Sequence, residues 1–149
     1  SNEEVRAKYL IENSDQNSEG FFLTLVGLTH SQEKFDEQLL TLSLWVNDYC
    51  LGRSFIQKKE RLQIFGAVER GDLNHRLHAH LIIKKHPKVK RSDQALNAFV
   101  RKSWIKLIGA HTSYMSSLID FQRANHLKSA ASYALKEVRS INSSNLLYI

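Results

Sequence analysis

The chain has 149 residues, 42% hydrophobic and 24% charged, with a formal net charge of +6. This length suffices for one domain with a real core, and the basic balance favours a polyanionic partner such as nucleic acid. No apolar stretch approaches the roughly 20 residues of a membrane span. The polar start Asn2-Glu3-Glu4 does not resemble a secretory signal, and the single Cys50 excludes an internal disulfide.

Residues 1–19 are polar, with a short helical pattern from Val5 to Ile11, and read as an N-terminal arm or helix ahead of a single domain over 20–149. Phe21 to Thr29 reads as a first strand, apolar on both faces and therefore expected to be central and covered on both sides. Lys34 to Leu51 carries Phe35, Leu39, Leu42, Trp45, Val46 and Tyr49 at helical spacing, with Gly52 as its stop. Leu62–Glu69 and Leu77–Lys84 read as two strands of a hairpin joined by a polar turn. A basic connection from Lys84 to Arg91 follows. Ser92 suits an N-cap for a second helix through Leu107, ended by Gly109. Tyr114–Phe121 reads as a strand, and Asn125 caps a third helix to about Arg139. The tail from Ile141 to Ile149 reads as another short strand or as the start of a further domain. The order β-α-β-β-α-β-α predicts an α+β domain, an antiparallel β-sheet with packed helices.

The strongest chemical signal is His78-Ala79-His80, set in the apolar run Leu77 to Ile83. Side chains alternate along a strand, so both imidazoles point to one face, poised to chelate a divalent ion. Glu69 ends the preceding strand, and the hairpin can bring it beside the pair. His78, His80 and Glu69 then form a mixed nitrogen and oxygen site suited to Mn²⁺ or Mg²⁺. His75 and Asp72 rival Glu69 as the third ligand.

The ordered set of Phe21-Phe22-Leu23-Thr24-Leu25, Glu69, His78-Ala79-His80 and Ser132-Tyr133-Ala134-Leu135-Lys136 resembles the HUH endonuclease superfamily over residues 20–140. The resemblance implies a fold related to the RNA-recognition-motif, ferredoxin-like arrangement. It implies a metal-dependent enzyme that nicks and joins single-stranded DNA. Tyr133 would be the nucleophile and Lys136, on the same helix face, its cationic partner. Thr24 would contact DNA, as in the family's first motif. Lys84, Lys85, Lys88, Lys90 and Arg91 would contact backbone phosphates.

Within the family the late Tyr-x-x-Lys resembles rolling-circle replication initiators most. The partner would be single-stranded DNA or a hairpin at an origin, and the location cytoplasmic, in the nucleoid or a host nucleus. Single-tyrosine transposases remain an alternative; relaxases place their tyrosine ahead of the histidines. Two other classes compete. One is a nucleic-acid-binding module without catalysis, which would expose aromatics on its sheet. The other is a phosphoesterase with two histidine motifs, which would want a second motif of the His-x-Thr or His-x-Ser kind; His111-Thr112-Ser113 is the one such tripeptide in the chain.

Overall fold

The computed structural model describes residues 19–71, 76–110, 115–124 and 144–148. Strand β1, Gly20–Val26, leads to helix α1, Gln32–Leu51, and to a single turn of helix α2, Arg53–Ile56. Strands β2, Ile64–Arg70, and β3, Leu77–Lys84, follow, then helix α3, Asp93–Ile108. A second single turn, α4, Met115–Leu118, runs into β4, Ile119–Ala124, and β5 is Ser144–Tyr148. The sheet order is β4-β1-β3-β2-β5, and every neighbouring pair is antiparallel. The expected α+β architecture of an antiparallel sheet with packed helices is therefore present. No helix among the described residues is long and apolar enough to cross a membrane.

The two long helices begin where their caps dictate. Ser31 Oγ accepts the Lys34 N–H, and Ser92 Oγ accepts the Ala95 N–H, each satisfying an amide that the first turn leaves orphaned. Gly109, at φ 70, closes α3 in the left-handed region that glycine enters without strain. Both helices bury their stripes against one face of the sheet. Phe35, Leu39, Leu42 and Val46 of α1 and Leu96, Val100 and Trp104 of α3 share a core with Leu23, Leu25, Ala79, Leu81 and Val68. Phe35 meets Trp104 edge-to-face at 5.8 Å, and Trp104 Nε1 donates to the Val26 carbonyl at 3.0 Å. This bond lets the indole be wholly buried without an unsatisfied donor.

Three expectations need correction. Strand β1 ends at Val26 rather than Thr29, and its burial alternates, with Phe22, Thr24 and Val26 only partly covered. The central strand is β3; β1 lies one place toward the β4 edge, and only its helix-side face is fully packed. The strand expected over Tyr114–Phe121 starts at Ile119, because the residues before it form the turn of α4. Tyr49 is half-buried rather than core, stacked between Phe99 and Arg91. The tail does supply a strand, β5, paired to the outer edge of β2. The third helix expected over 125–139 lies outside the described residues.

Candidate functional site

The face of the sheet away from the helices carries the histidines. Because Val26, His78 and Glu69 are cross-strand partners, and so are Thr24, His80 and Ala67, strand alternation brings these side chains to a common face in two adjacent rows. The hairpin register thus does what the sequence pattern asked of it: Glu69 stands directly opposite His78.

The closest contact runs diagonally. His80 Nε2 lies 2.8 Å from Glu69 Oε1, and His78 Nδ1 lies 4.0 Å from the same oxygen. Thr24 Oγ1 lies 3.3 Å from His80 Nδ1 on the other side of the ring. A carboxylate accepts, so His80 Nε2–H donates to Glu69, while Nδ1 on the other side of the ring shares a hydrogen bond with the Thr24 hydroxyl. Phe22 lies nearly parallel to the His80 ring, 6.2 Å between centroids. Glu69 is 5% exposed and His80 9%, whereas His78 is half-buried. Burial pushes the His78 imidazole below its ordinary pKa; the Glu69 charge opposes that shift, while His80 and Arg76 add to it. The neutral form of His78, which a ligand must be, is thereby favoured near neutral pH.

Among the described residues no three His, Cys, Asp or Glu side chains stand in ligand geometry around a common point. Glu69 and His80 are drawn together by their own hydrogen bond instead. The donor set nevertheless fits a divalent ion. Glu69 Oε2 is buried and has no hydrogen-bond partner among the described residues, an expensive arrangement for a carboxylate that a cation would relieve. Glu69, His78 and His80 are the residues that would hold it. Thr24 would then orient the His80 ring from behind, the kind of outer contact that fixes a ligand tautomer.

Gly66 shapes this site, although the sequence offered only a glycine inside a strand as a hint. A Cβ at Gly66 would lie 1.9 Å from the His80 carbonyl oxygen, so β2 and β3 approach there as only glycine permits.

The other expected site residues are spread out. Lys84 shares the histidine face but stands four residues beyond His80, roughly 13 Å along the strand. Lys85 pairs with Glu19, Lys88 pairs with Glu60, and Arg91 lies over the Tyr49 ring. These cations and Lys90 therefore gather at the far end of β3, not around the histidines. Tyr133, Lys136, His75 and Asp72 lie outside the described residues.

No family model matches the chain, and neither a curated protein nor a solved structure is significantly similar to it.

Proposed function

We propose that this chain is a metal-dependent, single-tyrosine nuclease domain of the HUH type, acting on single-stranded DNA, and within that class a rolling-circle replication initiator. The observation that carries the proposal is the convergence of Glu69, His78 and His80 on one sheet face, with Glu69 Oε2 buried and unpartnered among the described residues. The antiparallel sheet order β4-β1-β3-β2-β5 with two helices packed on one face, and the histidines on the central strand β3, supports the same reading.

A divalent ion bound there would polarise a phosphoryl oxygen and offset charge that builds up during displacement. The chain's own groups do the rest. Glu69, His78 and His80 would hold that ion, and Thr24 holds the His80 ring. The Tyr133 hydroxyl attacks phosphorus: its oxygen–phosphorus bond forms as the bond to the 3′ oxygen breaks. The hydroxyl proton ends on the departing 3′ oxygen, directly or through solvent. The products are a 5′-phosphotyrosine and a free 3′-hydroxyl, and the conserved bond energy allows rejoining. Lys136 would favour the phenolate.

The test is incubation with labelled single-stranded DNA and Mn²⁺, followed by denaturing electrophoresis. A metal-dependent, SDS-resistant adduct is expected, absent from Tyr133→Phe and strongly reduced in His80→Ala. An adduct that survives Tyr133→Phe moves the nucleophile to another residue. Tight binding with no adduct or cleavage across varied DNA, hairpins included, replaces this reading with the non-catalytic binding module, which the basic end of the sheet also favours.

A further inference from the structure

The end of the molecule opposite the histidine site carries a second concentration of charge that the sequence showed only in part. The connection after α2 and the connection after β3 are far apart in sequence but meet in space. The Lys84 N–H donates to the Gln63 carbonyl at 3.0 Å, and Lys88 pairs with Glu60 across the gap. Lys58, Lys59 and Arg61 from the first connection therefore join Lys85, Lys88, Lys90 and Arg91 from the second, all of them exposed. Glu60 is the sole acid within these two connections. Lys59 and Lys90 make no ion pair with any described residue.

Two details make this end more than a solvated cluster. Lys59 has φ 56, the one non-glycine residue in the left-handed region among those described. Such strain is retained where a side chain's position matters. Arg91 is held in place: its guanidinium carbon lies 3.9 Å over the Tyr49 ring centre, and its Nε donates to the Tyr49 carbonyl at 2.9 Å. Tyr49 in turn stacks on Phe99 at 4.0 Å and 3°. Anchored in this way and exposed, the guanidinium is presented to solvent in a held position. A patch meant for a membrane needs flexible cations around a protruding apolar group; Ile56 protrudes here, but Arg91, tied to Tyr49, is not a flexible cation. A fixed cationic plane flanked by lysines instead suits an unstacked base with phosphates on either side.

We propose that this basic end is a second nucleic-acid contact, holding a segment of single strand that flanks the one at the histidine face. Lys59 and Lys90 contact phosphates, and Arg91 stacks a base. From His78 to Lys84 is six residues of strand, roughly 20 Å, so this end does not touch the phosphate being cut. The inference rests on single-stranded DNA being the substrate but not on cleavage.

The experiment is fluorescence anisotropy of a labelled oligothymidine with the whole chain, in chelator, over a salt series. Failure of the nuclease reading leaves this measurement untouched, and normal nicking does not rescue it. Lys59→Gln with Lys90→Gln should reduce the slope of log affinity against log salt by roughly 1.4, the share of two phosphate contacts on a single strand. Arg91→Lys keeps the charge and loses the plane; it should weaken binding by about fivefold or more, the lower range for a stacked base, with the slope unchanged. Circular dichroism checks that each variant folds. Unchanged affinity and slope in both overturn the proposal. Binding of phosphatidylserine vesicles that is lost in the double variant, with oligothymidine binding intact, overturns it too and assigns this end, where Ile56 is 68% exposed, to a membrane surface.

Discussion

Replacing Gly66 by alanine tests the link between strand packing and the histidine site. The new methyl carbon would meet the His80 carbonyl oxygen at 1.9 Å, and its next contacts, at 2.9 and 3.0 Å, are also β3 backbone atoms. No flexible side chain is there to swing away, so β2 and β3 must part by about 1 Å. Ladder bonds near 2.9 Å would stretch past useful length, and the substitution falls at the upper end of overpacking, about 3 kcal/mol. For a domain of this size that corresponds to a drop in Tm on the order of 10 °C. The separation also displaces His80 from Glu69, so long-range proton–nitrogen NMR spectra of the imidazoles should show the His80 ring nitrogens shifted as their hydrogen bond to Glu69 is lost. Gly109→Ala is the control: its φ of 70 makes it mildly strained, but nothing lies within 4 Å. It should cost about 1–2 kcal/mol and leave His80 unaltered. A Gly66→Ala protein that melts with the parent and keeps its His80 signals would refute the argument.

Three further outcomes are expected. Asn47 is 2% exposed, and its Oδ1 accepts the Leu62 N–H at 2.8 Å just before β2. Asn47→Ala strands that amide and should reduce stability by about 2 kcal/mol, seen as a lower urea midpoint at unchanged m-value. His78 has its folded pKa depressed, so below its ordinary value near 6.5 the unfolded chain binds more protons than the folded one. Stability from this group is present above that pH and is lost as pH falls toward the folded value. His78→Gln should therefore flatten the acid side of the urea midpoint–pH curve; an unchanged slope would contradict the burial argument. Burial pushes the Cys50 thiol up to about 11, against a small opposing effect of Arg91. Ellman's reagent at mildly alkaline pH should react with Cys50 only after guanidinium unfolding, and fast stoichiometric reaction of the native protein would show the thiol to be accessible.

Much of the architecture was legible because it is local. Helix α1 and helix α3 follow from a 3.6-residue apolar period before a glycine stop, joined in α3 by the Ser92 cap; the Ser31 cap that starts α1 at Gln32, two residues before Lys34, is seen only in the structure. The β2–β3 hairpin follows from two apolar runs around a polar turn. The shared face of His78 and His80 follows from strand alternation alone. Three things depended on distant parts of the chain. The sheet order makes β3 rather than β1 central, and no strand's own pattern encodes which neighbours it takes. Long-range pairing drew Glu69 onto His80 rather than symmetrically between the histidines, with Thr24 behind the ring from a strand 56 residues away. Finally, the basic connection that reads in sequence as an extension of the histidine strand is carried, by the strand's own length, to the opposite end. There it meets cations from a segment whose proximity only the folded sheet creates. Periodicity and capping act over a few residues, so the sequence shows them directly; register, strand order and charge convergence are set by the packing of the whole.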